Sequence, residues 1–247
     1  GAAFLAAPAL LGGAVHAQSA PEARPATPPA IAPYRHFRLG GFQVTPLLTG
    51  TRPMENPHEI FGLNAPEADF TALSEANFLP PAQSMNFFTP SLIETGSEVI
   101  LFDTGLSPEG LRGALAAAGK APEDVTIVVL THMHGDHIGG LMENGAATLP
   151  NARYVTGQAE FDHWAAAGNE GFDQKVRPLA EKFTFLKVGD AVVSGISAQD
   201  AAGHTPGHMA YLLEDAGRQL MLTADTINHY VYSLQRPDWE VKYDMDK

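Results

Sequence analysis

The sequence predicts an α/β fold, and three neighbouring stretches carry that reading. Residues 98–102 form an apolar strand, residues 107–119 a helix with a 3.6-residue apolar period, and residues 126–130 a second apolar strand. A strand–helix–strand succession is the building unit of layered α/β domains. The second strand runs directly into Leu-Thr-His-Met-His-Gly-Asp-His-Ile-Gly-Gly, where three of the ten histidines fall within six residues.

Composition sets the outer limits. The 247 residues suit one large domain or two small ones, and a hydrophobic content of 45% supports a real core. Fifteen Lys and Arg against 28 Asp and Glu give a formal charge of -13. Such a surface repels phosphate and argues against nucleic-acid binding. Cysteine is absent, which removes disulfides, a thiolate nucleophile and a Cys-based zinc site.

The elements follow in chain order. Residues 1–21 carry no charged side chain, and Val15-His16-Ala17 has the small-residue pattern of a signal-peptidase site. Residues 1–17 read as a truncated signal peptide, which implies a periplasmic or secreted protein. The apolar run is short and rich in Gly, Ala and Pro, so no stable membrane association of the mature form is expected. Residues 18–33, dominated by Pro and Ala, read as a linker, and residues 34–247 as the folded domain. Residues 37–39 and 42–48 read as a hairpin across Gly40-Gly41. Residues 49–81 read as irregular, with Pro53, Pro57, Pro66, Pro80 and Pro81, and as a covering loop. Residues 86–94 and 98–102 read as a strand pair, followed by Asp103-Thr104-Gly105. Ser107 as N-cap and Pro108 at N1 start the helix, Leu111, Ala114, Leu115 and Ala118 form its stripe, and Gly119 stops it. Residues 153–156 read as a strand, 158–166 as a helix, and 172–182 as a helix interrupted at Pro178. Short strands follow at 183–188 and 191–193. Residues 209–213 and 219–223 pair across Asp215-Ala216-Gly217.

The histidine-rich loop carries the chemistry. Imidazole nitrogen and carboxylate oxygen suit zinc and neighbouring divalent ions. In an extended chain, residues i and i+2 point to one side, so His132 and His134 can grip one ion. Gly135 permits a sharp backbone change, which frees Asp136 and His137 to face a second position. A tetrahedral catalytic ion takes three protein ligands and a water, so four donors imply two neighbouring ions. Further on, Gly203-His204-Thr205-Pro206-Gly207-His208 makes a tight turn able to fix an imidazole, and Asp225 closes the last strand.

His132-x-His134-x-Asp136-His137 resembles the signature of the metallo-β-lactamase superfamily. The run up to Leu141 is similar to the branch containing methyl parathion hydrolase and the N-acyl homoserine lactonases. The resemblance implies a four-layer αββα sandwich, incomplete on its C-terminal side, with two divalent metal ions, Zn2+ first among them. It implies His132, His134 and His204 on the first ion, Asp136 and His137 on the second, and Asp225 bridging the two. Asp103, in Phe-Asp-Thr-Gly, and His208 are expected to support these ligands without binding metal. Relatives complete the second site with a further histidine, which is expected beyond Lys247. The chain therefore reads as a fragment at both ends, and His229 is not expected to substitute.

The implied reaction is metal-assisted hydrolysis of a small molecule. A hydroxide between the cations attacks a lactone, an aryl ester or a phosphotriester, with Asp136 as a catalytic partner of that hydroxide. Phe61, Phe78, Phe87, Phe88 and Trp164 are candidates for an apolar mouth, although core is the commoner fate of aromatics. His163 reads as a surface histidine. Neither a Gly-x-Ser-x-Gly elbow nor a His-Glu-x-x-His helix is present. Two alternatives stand beside this reading. One is an iron-dependent oxidoreductase on the same fold, resembling a persulfide dioxygenase. The other is a non-catalytic binding module, if the last ligand is truly absent. A homodimer is an expectation by analogy alone.

Overall fold

A computed structural model describes residues 32–245. The expected signal peptide, 1–17, and all but the last two residues of the expected linker, 18–33, lie outside them. β1 (Phe37–Leu39) and β2 (Phe42–Pro46) form the expected hairpin. β3 (Gly50–Glu55) and α1 (Glu67–Ala76) then occupy part of the stretch expected to be irregular. Its prolines sit where regular structure tolerates them: Pro66 precedes α1 as its N-cap, and Pro53 lies in a two-stranded ribbon that is all edge.

β4 (Gln83–Phe88) and β5 (Ser91–Glu94) replace the single strand expected over 86–94. The chain breaks at Pro90: β4 turns away to pair with β3, while β5 pairs with β2 and with β6 (Val99–Phe102). α2 (Pro108–Ala117) is capped by Ser107, whose hydroxyl accepts the Gly110 N–H. β7 (Ile127–Val129), the single turn α3 (Gly135–Ile138), and the short pair β8 (Met142–Glu143) and β9 (Ala146–Ala147) follow. Then come β10 (Arg153–Gly157), α4 (Gln158–Ala167) and α5 (Glu170–Lys175), with a 3-10 segment Arg177–Lys182 where the second helix was expected to continue. β11 (Phe183–Leu186), β12 (Ala191–Val193), β13 (Ile196–Asp200), β14 (Met209–Asp215), β15 (Arg218–Leu222) and α6 (Tyr232–Gln235) complete the described chain.

Seven strands form one sheet in the order β1-β2-β5-β6-β7-β10-β11, and β12-β13-β14-β15 form a second. β6, β7, β10 and β11 run parallel. Parallel strands are covered on both faces and read as continuous apolar runs, which is why Ile127, Val128 and Val129 are all buried. On one face Leu101, Val128 and Tyr154 meet Leu111, Leu115, Trp164 and Phe172 from the helices. On the other, Ile100, Phe102 and Val129 meet Ile196, Tyr211 and Leu213 from the second sheet. The layers are thus helix, sheet, sheet. Met221 in β15 is exposed. A third cluster of Phe61, Phe70, Val231, Tyr232 and Trp239 ties the segment around α1 to the chain after β15.

This layout gathers chemistry at one end. Asp103 follows β6, Thr131 to His137 follow β7, Glu160 opens α4 just beyond β10, and His204 to His208 immediately precede β14. Ligand sites of open α/β sheets lie beyond the carboxyl ends of parallel strands.

Candidate metal centre

The loop after β7 owes its shape to sterics that the sequence only partly signals. His134 is extended at φ -66°, ψ 155° and serves as N-cap of α3. Gly135 was expected to supply a sharp turn, but its φ is not positive and nothing lies within 4 Å of an added Cβ. The reversal comes from starting a helical turn. The glycines the site requires are Gly139 and Gly140. A Cβ on either would collide with the backbone carbonyls of Leu106 and Thr104, so only glycine lets α3 lie against the turn after β6.

The side chains converge in two groups. His134 Nδ1 lies 3.1 Å from His132 Nε2 and 2.9 Å from His204 Nε2. His137 Nε2 lies 3.3 Å from Asp225 Oδ1 and 3.7 Å from Asp136 Oδ2. Asp225 Oδ2 lies 3.4 Å from His204 Nε2. One carboxylate therefore reaches from one group to the other. Among the described residues, the donor sets whose atoms lie within 4.8 Å of each other are His132, His134 and His204, and His132, His137 and Asp225. Asp136 sits beside the second set with its side chain 33% exposed.

The family model of the metallo-beta-lactamase superfamily matches residues 89–234. The chain belongs to this superfamily. It is 41% identical over 125 residues to human metallo-beta-lactamase domain-containing protein 1, covering 42% of this chain and 46% of that protein. It is 30% identical over 160 residues to an N-acyl homoserine lactonase of Bacillus sp, covering 54% and 61%. To the uncharacterized protein YobT of Bacillus subtilis it is 28% identical over 148 residues, covering 56% and 60%. The chain thus spans between 46% and 61% of the length of these relatives. Among solved structures it is similar to AidC, a dizinc quorum-quenching lactonase in complex with a product, with a TM-score of 0.78 and 25% identity. That match covers 86% of this chain and 81% of AidC. The hydrolase AbOPH gives a TM-score of 0.79 at 26% identity, covering 87% and 81%.

In this member of the superfamily, the converging nitrogens His132 Nε2 and His204 Nε2 are left without a proton by what stands behind their rings. Asp103 holds φ at 62°, a left-handed conformation that aspartate tolerates better than most residues. Its carboxyl accepts the Thr131 N–H, the Thr131 hydroxyl and His137 Nδ1–H, each at 2.9 Å. With its proton given to Asp103, the Thr131 hydroxyl accepts from His132 Nδ1–H at 3.1 Å. His204 Nδ1–H donates to Asp244 at 2.8 Å. His132 and His204 therefore turn bare Nε2 lone pairs toward His134 Nδ1, where either a proton on that nitrogen or a shared cation can satisfy them. A tetrahedral zinc with Zn–N bonds of about 2.0–2.1 Å sets its donors about 3.3 Å apart, and the observed spacings approach that. The residues present fit a divalent ion.

Electrostatics divide the site. Burial and the neighbouring histidines hold His132 well below the usual histidine value, and burial brings His134 down to about 4. These rings are neutral at neutral pH. Burial also works against a charge on His137, but Asp225 and Asp103 outweigh it and hold that ring well above the ordinary value. Burial likewise opposes ionisation of Asp225, and His137, His204 and His208 overcome it, leaving the carboxyl far below its usual range. The second group is thus built to balance positive charge.

Two supports were not anticipated. Glu160 is completely buried. Its carboxylate accepts the Met133 N–H at 2.9 Å, Trp164 Nε1–H at 2.6 Å, the Thr205 hydroxyl at 2.7 Å and the Gly207 N–H at 3.1 Å. It joins the loop after β7 to the turn before β14. Gly207 must be glycine there, because a Cβ would strike the backbone at Glu160. The second support is Asp244. His208, expected behind the ligands, accepts the Asp225 N–H at its Nε2 across 3.3 Å. His229 Nδ1 instead accepts the Val231 and Tyr232 N–H groups, with its ring stacked on Tyr230 and Tyr232. Of the aromatics proposed for a mouth, Trp164 touches His134 edge-on at 5.5 Å and Phe61 is core. Phe78 and Phe87 are 97% and 60% exposed. His163 is half-buried beside Trp164.

Proposed function

We propose that this chain is the metal-binding part of a hydrolase that opens a lactone, with aryl esters and phosphotriesters as neighbouring substrate classes. The observation that carries the reading is Asp225, whose two oxygens reach His204 on one side and His137 on the other. In this reading His132 Nε2, His134 Nδ1 and His204 Nε2 hold a first ion, Asp136 and His137 Nε2 a second, and Asp225 both. Bound divalent ions lower the pKa of water and polarise a carbonyl or phosphoryl oxygen. The protein's own residues do the rest. Asp103 and Thr131 fix which nitrogens face inward, Glu160 holds the two loops together, and the free carboxylate oxygen of partly exposed Asp136 accepts a hydrogen bond from the attacking water. Trp164 walls the His134 side against bulk water. The lactonase relative at 30% identity and the likeness to AidC support the lactone. Periplasmic or secreted placement, a small-molecule substrate and a homodimer complete the proposal. No described helix is long and apolar enough to cross a membrane.

The test is metal analysis of the full-length protein beside a panel of lactones, aryl esters and phosphotriesters. Two divalent ions per chain, with hydrolysis lost on chelation and restored by zinc, is the expected outcome. Iron with oxygen uptake and no hydrolysis overturns it.

A further inference from the structure

The described histidines of the two groups do not share one support. Asp103 serves His137 directly and His132 through Thr131. His204 is served from elsewhere, by a carboxylate 40 residues further along the chain.

His204 Nδ1 lies 2.8 Å from Asp244 Oδ1, and the two side chains are only 3% and 4% exposed. Asn228 Nδ2–H also donates to that oxygen, at 3.3 Å. The backbone adds a second grip: the Met245 N–H reaches the carbonyls of Gly203 and His204 at 3.2 and 3.1 Å. The same segment is fastened at its other end. Gly62 and Leu63 donate to the Glu240 carbonyl, Lys242 N–H donates to Ile60, and Phe61 bridges Val241.

We propose that Asp244 is a positioning residue that fixes the Nδ1–H tautomer and ring plane of His204, so that Nε2 is the nitrogen presented to the first metal position. The proposal rests on His204 being a ligand, as read above. A histidine side chain in water favours the Nε2–H form, which places a proton on the nitrogen that must bind. A carboxylate acceptor at Nδ1 reverses that preference and raises the basicity of the ligand nitrogen. A ring nitrogen cannot be both protonated and metallated, so the tautomer decides whether the turn at 203–207 delivers a ligand or a proton donor.

The experiment uses the full chain stripped of metal, and reads the His204 ring by long-range nitrogen–proton NMR, with His204→Ala giving the assignment. Zinc affinity is then measured by competition with a chelating dye. The wild-type protein shows Nδ1–H. Asp244→Ala moves His204 to the Nε2–H form and weakens zinc binding about 10- to 100-fold. Asp244→Asn keeps the acceptor and the volume, so it keeps Nδ1–H while losing the charge, and weakens zinc binding by a smaller factor. An unchanged tautomer in Asp244→Ala, with zinc binding still lost in His204→Ala, overturns the role of Asp244 and leaves the metal site standing. Unchanged zinc affinity in both Asp244→Ala and His204→Ala overturns the ligand role of His204, and the proposal with it. Should Asp244→Ala fail to fold, Asp244→Leu, of similar size and without an acceptor, decides, and an Nδ1–H ring at His204 there overturns the proposal.

Discussion

Replacing Glu160 by alanine removes the acceptor for four donors at once. Met133 and Gly207 offer backbone N–H groups, Trp164 its indole N–H and Thr205 its hydroxyl. Each buried donor left unmatched costs about 1–3 kcal/mol. Water admitted to the space left by the carboxylate recovers part of that, and the Thr205 hydroxyl can rotate, so the low end is the right scale. Four donors at about 1 kcal/mol each give a loss of about 4 kcal/mol. For a domain of this size each kcal/mol shifts Tm by about 2–4 °C, so Tm should fall by about 8–16 °C. Glu160→Gln keeps the volume and one carbonyl oxygen, and turns an amide against the remaining donors, so its loss should be about half as large. The assay is thermal unfolding by circular dichroism on metal-stripped protein, which isolates the fold from zinc affinity. A Tm for Glu160→Ala within about 2 °C of wild type would refute the view that this carboxylate holds the two loops together.

Three other outcomes are expected. His132→Ala and Asp225→Ala should each lose bound metal and turnover, whereas His163→Ala should keep both; equal metal content across the three, read by mass spectrometry, would sink the ligand assignment. Burial holds His134, His208 and His229 at about 4 in the folded protein, so as pH falls below about 6.5 the unfolded chain binds their protons first and is favoured. The raised His137 contributes fully throughout that range and does not offset the loss. Metal-stripped protein should therefore lose about 2–4 kcal/mol between pH 6.5 and 4 after discounting for partial exposure, and equal urea midpoints at pH 7 and 4.5 would contradict this. Ala224, beside Asp225, holds φ at 42°. Glycine carries no steric penalty there, so Ala224→Gly should raise stability by about 0.5–1 kcal/mol with metal content unchanged, and a lowered Tm would count against strain at that residue.

The cluster at 132–137 was legible because its geometry is local: an extended i, i+2 pair and one helical turn place four donors without help from the rest of the chain. His204 and Asp225 could be named only through the tight turn around one, the strand end at the other, and a family resemblance. Glu160 and Asp244 were not legible. Apart from Trp164 and Asn228, their side-chain partners lie 27 to 47 residues away, and a glutamate in a helix or an aspartate near a chain end reads as solvated. Trp164 four residues after Glu160 was the one local hint, since a buried indole N–H wants an acceptor. In the fold, the errors had physical signals that were outweighed. Glu67 and Asp69 behind Pro66 mark a helix start, and Pro90 marks the break between β4 and β5. β13 is five residues of modest polarity, buried on alternate positions by its neighbours in the sheet.

Asp103 latches a ring on each side of the centre with a single carboxyl group. Neither ring can be repositioned by evolution or by an engineer without disturbing the other, because loosening that one side chain lets both imidazoles swing. Under the two-ion proposal, cations so tethered should fill and empty as a couple, not as two separate guests.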